Sequence, residues 1–166
     1  MADVPEVAQV GSGQRQVGAY PELDVVMRAA RVFSGIVAAS LAHVGDIVTP
    51  PQLRALVLIG TRRNINASAV ADALEVHLSS ASRLIDRLVT TGLVERRESP
   101  VDRRHMQLSL TDAGSRLLNQ IMEHRRSMLA AILARMSAAD RRAIQQCLTR
   151  FSEAAGEPEE PAWGQL

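Results

Sequence analysis

Lysine is absent: all 19 basic residues of this 166-residue chain are arginine. Whatever cationic surface the protein has is therefore built from planar guanidinium forks, which pair bidentately with phosphates and guanine edges. A GC-rich coding sequence produces the same bias, so composition does not name a partner by itself, and the net charge of +1 does not either. A single cysteine, Cys147, excludes an intrachain disulfide. The four histidines (43, 77, 105 and 124) show no His-x-x-x-His spacing, so no metal set is expected. Aromatic residues make up only 2%, which leaves aliphatic side chains and methionine to build the core. Long apolar runs are missing too. The longest uncharged stretch, Val32 to Gly45, has 14 residues, short of the roughly 20 that span a bilayer. It reads as a buried helix. No basic-then-apolar leader opens the chain. Nor is there a Gly-x-Ser-x-Gly turn or a phosphate loop. These absences lead to the expectation of a cytoplasmic protein that is not an enzyme, with no cofactor and no membrane partner.

What the chain does have is helical periodicity. Hydrophobic residues reach 46%, ample for a core. Leu23, Val26, Met27, Ala30, Phe33, Val37 and Leu41 recur at three- and four-residue steps and predict a long first helix that ends at Gly45 and Asp46. Thr49-Pro50-Pro51 is a helix start, with Thr49 as cap and proline in the first turn. Leu53, Leu56, Val57 and Ile59 form the second helix. Asn66 caps a third, with Val70, Ala71 and Leu74 inside. Ala81, Leu84, Ile85 and Leu88 define a fourth, which Gly92 stops. The period then switches to two. Leu93 to Glu98 and Met106 to Leu110 read as the strands of a hairpin, with a polar tip from Ser99 to His105. Thr111 caps a fifth helix containing Leu117, Leu118, Ile121, Met122, Met128, Leu129, Ile132 and Leu133. Ser137 and Asp140 form a capping box for a sixth, which is expected to turn Ile144, Leu148 and Phe151 inward and to bury Cys147 among them.

Two short helices joined by Glu75-Val76-His77 make a helix-turn-helix, whose second helix enters the major groove. Once the core positions of the fourth helix are removed, Ser79, Ser80, Ser82, Arg83, Asp86 and Arg87 remain outside. Serine bonds phosphates or base edges, and Arg83 and Arg87 reach guanine or phosphate. From Arg83 to Arg104 the chain carries six arginines against four acids, a local charge of about +2. A hairpin tip bearing Arg103 and Arg104 suits the narrow minor groove, where negative potential is enhanced. Asp102 is suited to holding one of these arginines by an ion pair.

The run from Leu74 to Leu88, followed by Gly92-Leu93-Val94-Glu95-Arg96, resembles the recognition helix and wing start of the MarR family. Asp102-Arg103-Arg104 and then Leu108-Ser109-Leu110-Thr111 resemble its wing signature. The likeness covers roughly residues 21 to 153. It departs at Glu75, where the family often has glycine, and at His77, where serine or threonine commonly caps. The resemblance implies a mainly α fold with a small β-hairpin wing, in which a winged helix-turn-helix is joined to a helical dimerisation domain. It implies a homodimer on double-stranded, pseudo-palindromic DNA. Ser79, Ser80, Ser82, Arg83 and Arg87 would read the major groove, Arg104 would enter the minor groove, and Asp102 would position it. It also implies a small aromatic or phenolic effector, near His43, Arg31, Arg54 and Phe33 by order along the chain alone.

The expected organisation is an N-terminal arm (1–19), a first dimerisation helix (20–48) and a winged DNA-binding domain (49–111). Dimerisation helices (112–153) and an acidic tail (154–166) complete it. Dimerisation also follows from the residues, because the first and last helices are apolar over much of their length and a small winged domain cannot cover both. The competing reading is a winged-helix module that binds protein. Salt dependence separates the two, since phosphate contacts impose a steep slope.

Overall fold

A computed structural model describes residues 20–45, 47–62, 64–98 and 106–156. Along the chain lie α1 (Leu23–His43), α2 (Pro50–Thr61), α3 (Ala67–Leu74), α4 (Leu78–Thr90), β1 (Val94–Glu98), β2 (Met106–Leu110), α5 (Asp112–Leu133) and α6 (Ala138–Ala154). This is the mainly α architecture with a two-stranded wing that the periodicity predicts. The start signals work as local chemistry requires. The Thr49 backbone N–H donates to Gln52 Oε1 at 2.8 Å ahead of α2. Asn66 accepts from the Ala69 N–H at 2.9 Å, and Ser137 from the Asp140 N–H at 3.1 Å. Each satisfies an amide that the first helical turn leaves unpaired.

The chain divides into two compact units, Met1–Phe33 and Ser34–Leu166, so the boundary falls within α1. In the first unit, every described residue from Tyr20 to Phe33 is exposed. Asp24, Arg28 and Arg31 recur at helical spacing and make one stripe charged, while Val26, Met27 and Phe33 stand exposed off it. By length and composition alone α1 could cross a membrane, with a mean hydropathy of 1.5 over its most apolar window. Its charged stripe and its exposed apolar residues are those of an amphipathic helix.

In the second unit, Leu56, Val70, Ile85, Leu88, Val94, Leu118 and Ile121 are fully buried together. They come from α2, α3, α4, β1 and α5, so one aliphatic core fixes the helix-turn-helix, the wing and the first half of α5. The Ser40 hydroxyl, also fully buried, donates to the Val37 carbonyl at 2.7 Å and accepts from Arg125 Nε at 2.9 Å. That polar link joins the end of α1 to α5. Nearby, the His43 and His124 rings stack with centroids 4.0 Å apart.

The wing is tied down at its base. Strand β1 pairs with β2 antiparallel, from Val94 opposite Leu110 to Glu98 opposite Met106. The Leu108 N–H donates to the Ile65 carbonyl at 2.8 Å, which anchors β2 to the approach to α3. Thr111 is the hub. Its hydroxyl accepts from the Gly114 N–H at 3.0 Å and donates to the Gly92 carbonyl at 2.6 Å, while its own N–H donates to the Leu93 carbonyl at 3.1 Å. Thr111→Ala removes both a cap and a tertiary bond. It is expected to cost about 1–2 kcal/mol in urea unfolding.

Three expectations fail in the single chain. The segment Val32–Gly45 is not a buried helix, because only Ile36, Ser40 and Leu41 of α1 are buried. No residue of α6 is buried, and Leu148 and Phe151 are 43% and 57% exposed instead of turned inward. Cys147 is likewise exposed, not a core thiol. The reason is common to all three: a helical period marks which face is apolar but not what covers it.

Candidate nucleic-acid interface

Helix α4 is held from one side. Ala81, Ile85 and Leu88 are completely buried, which leaves the opposite face to solvent. On that face Ser79, Ser80, Arg83, Asp86 and Arg87 are exposed, and Ser82 is half-buried. Five of the predicted DNA-reading residues (Ser79, Ser80, Ser82, Arg83 and Arg87) therefore lie on one helix. Asp102, Arg103 and Arg104 lie outside the described residues.

The turn into α4 keeps helix-turn-helix geometry without glycine. Glu75 adopts a left-handed backbone with φ 54°. Such a conformation costs a non-glycine residue about 1–2 kcal/mol. Hydrogen bonds from the Glu75 N–H to the Asp72 carbonyl at 3.1 Å and from the Val76 N–H to the Ala71 carbonyl at 3.0 Å hold it in place. His77 begins α4 without a side-chain cap bond. The start of α4 thus keeps backbone amides free at the surface, where the helix dipole favours an anion. At the other end Gly92 has φ 72°, and its N–H donates to the Val89 carbonyl at 2.9 Å, closing the helix before the wing.

An ion pair joins α4 to the wing: Arg96 Nη2 to Asp86 Oδ1, 2.6 Å. Its side chains are 40% and 57% exposed, so it contributes little to stability. Its effect is positional, since it sets a guanidinium of β1 beside the exposed face of α4. The sequence count of charges included both residues but did not pair them. Their ten-residue separation spans a helix end and a strand start, and only the approach of the two elements reveals the partner. On β1, Arg97 pairs with Glu95 at 2.5 Å. Among the described residues, Arg83 and Arg87 are matched to no carboxylate, so both guanidinium groups remain available to an outside anion.

Two open hollows lie in the winged unit. One, of about 630 Å³, is lined by Ala71, Asp72, Glu75, Val76, His77 and Ser80 at the turn. Another, of about 400 Å³, lies at the base of the wing, with Arg62, Asn64, Arg97 and Gln107 among its walls. Of the residues expected near an effector, Arg31, Phe33 and Arg54 are exposed, and His43 is engaged with His124. Among the described residues no group of three or more His, Cys, Asp or Glu side chains converges.

Known proteins share this arrangement. Residues 48–106 match the family model described as MarR family. The crystal structure of Rv1404 from Mycobacterium tuberculosis superposes with a TM-score of 0.76 at 37% identity, over 82% of this chain and 93% of that one. The uncharacterised HTH-type transcriptional regulator YfiV of Bacillus subtilis is 28% identical over 120 residues, which is 68% of this chain and 75% of that protein. The HTH-type transcriptional repressor MdtR of the same organism is 32% identical over 52% of this chain, and the match spans 56% of its own length. The matched segment is the one that carries the helix-turn-helix, the exposed arginine face and the first wing strand: the chain belongs to the MarR family of DNA-binding transcriptional regulators.

Proposed function

We propose that the protein is a cytoplasmic repressor that binds pseudo-palindromic operator DNA as a homodimer. Ser79, Ser80, Ser82, Arg83 and Arg87 read the major groove from α4. Arg103 and Arg104 at the wing tip enter the minor groove, and Asp102 positions Arg104. The observation that carries this reading is the exposed face of α4, where hydroxyls and two uncompensated guanidinium groups stand together on a helix locked into the core from behind. Repression, the name that MdtR carries, follows if the bound protein occludes a promoter.

Dimerisation is supported by the apolar surface that the single chain leaves uncovered. Ile132 on α5 and Leu148 and Phe151 on α6 are exposed, as are Val26, Met27 and Phe33 on the first half of α1. A two-fold interface would cover such surface and set two copies of α4 about one DNA turn apart. A small aromatic or phenolic anion would regulate the protein by binding one spacing of the two heads better than another, with a coupling of roughly 1–3 kcal/mol. A panel of hydroxylated benzoates titrated into the protein–DNA complex tests that step. No shift in affinity at any concentration would remove the effector from the scheme.

The primary test is binding to duplex from the gene's own upstream region, measured by fluorescence anisotropy across a salt series with random duplex as control. Sequence-selective binding with a steep salt slope is the expected result. Arg83→Ala is expected to weaken operator binding by roughly 1–3 kcal/mol and leave the dimer intact. Affinity that is flat in salt and equal on random duplex would instead favour a protein-binding winged module.

A further inference from the structure

We infer that Leu78 is a specificity-determining residue, whose side chain meets the C5-methyl group of a thymine in the major groove, so that each half-site carries a required thymine opposite the first turn of α4. The inference rests on the reading of α4 as the groove-facing helix and adds to it the chemical class of base that one position demands.

Leu78 is the first residue of α4 and is 51% exposed. Helical spacing alone would bury it. It stands three, seven and ten residues before Ala81, Ile85 and Leu88, which are all at 0% exposure. The difference comes from where the helix begins. The amides of Ser80 and Ala81 both donate to the His77 carbonyl, at 2.9 and 3.1 Å, so α4 starts immediately after the turn. Leu78 therefore sits at the rim of the core, on the row one turn ahead of Ser82. The exposed residues that follow it on α4, Ser79, Ser80 and Arg83, are all polar.

An exposed leucine is ordinary on a protein surface. Its position is what matters here, because a base edge in the major groove offers donors, acceptors and a single apolar group, the thymine methyl. A leucine packed on that methyl removes both from water. Packed on any other edge, it strips water from a donor or acceptor and returns no hydrogen bond. The same side chain thus rewards thymine and penalises the alternatives, which serine and arginine at neighbouring positions cannot do.

The test uses the full chain and a duplex enriched from a random-core library. Each thymine is replaced in both half-sites by deoxyuridine, which lacks only the methyl. At one thymine, the replacement is expected to weaken the wild-type protein by about four- to sixteenfold. Leu78→Ala is expected to bind the thymine and deoxyuridine duplexes equally, with unchanged helicity. Leu78→Gln should enrich a different base at that position in a repeat selection. Equal wild-type affinity for thymine and deoxyuridine at every position would overturn the inference, as would discrimination that survives Leu78→Ala. If selective binding is then still lost in Arg83→Ala, α4 remains the reading helix and only the role of Leu78 falls. If no sequence is enriched over random duplex, both fall together.

Discussion

Gly114→Ala is expected to destabilise the winged unit by about 3 kcal/mol or more, lowering the melting temperature by roughly 6–12 °C. Gly114 lies in the first turn of α5 and is buried. A β-carbon there would sit 2.0 Å from the Leu93 carbonyl oxygen and 3.0 Å from its carbon. The obstacle is backbone, so no rotamer change relieves it. Either α5 or the start of the wing has to move. Either movement strains the bonds that converge on Thr111, from its N–H to the Leu93 carbonyl at 3.1 Å and from its hydroxyl to the Gly92 carbonyl at 2.6 Å. Overpacking costs about 1–3 kcal/mol, and each bond lost adds about 1 kcal/mol. Gly35→Ala is the internal control. That glycine is helical, has nothing within 4 Å of an added β-carbon, and should gain up to about 1 kcal/mol from helix propensity. Equal melting temperatures for the two variants would show that α5 and Leu93 do not approach as closely as described.

The second large effect is expected from charges placed on α6. The double variant Leu148→Glu, Phe151→Asp should convert a dimer to a monomer in analytical ultracentrifugation, and operator affinity should fall by roughly 10²–10⁴-fold as the two reading heads become independent. Helix α6 has 17 residues, none of them buried in the single chain. A helix of that length is marginal in water unless an apolar face is covered. Leu148 and Phe151 are the large apolar side chains it exposes, so a partner surface is the natural source of that cover. Both lie outside the core that holds α4, so the winged unit should keep its cooperative unfolding. A double variant that remains dimeric would place α6 outside the interface and leave the apolar surfaces of α1 and α5 to account for assembly.

Much of the local architecture was legible before any tertiary contact was known. Asn66, Thr111 and Ser137 mark helix starts because their short polar side chains satisfy free amides, whereas at Thr49 it is the Gln52 side chain that accepts from the Thr49 N–H. Gly92 marks a helix end because its φ of 72° suits glycine. The change from a three-to-four period to a period of two located the wing strands, within one residue at Leu93. The polar face of α4 could be read by subtraction of its core stripe. Glu75 shows where such rules stop. Its side chain argues against a left-handed turn, yet the bonds from the Glu75 and Val76 amides to carbonyls of α3 impose one.

The sequence by itself determined the order of the elements, most of their capping, the polar face of α4 and the family to which they point, because each depends on residues near one another along the chain. Only the tertiary structure decided which apolar faces are covered. It exposed α6 and Cys147, brought Asp86 to Arg96, pressed Gly114 against Leu93 and left Leu78 at the rim of the core. Burial and pairing across elements depend on how helices and strands approach in space, and a periodic pattern specifies the face that is presented but not the surface that meets it.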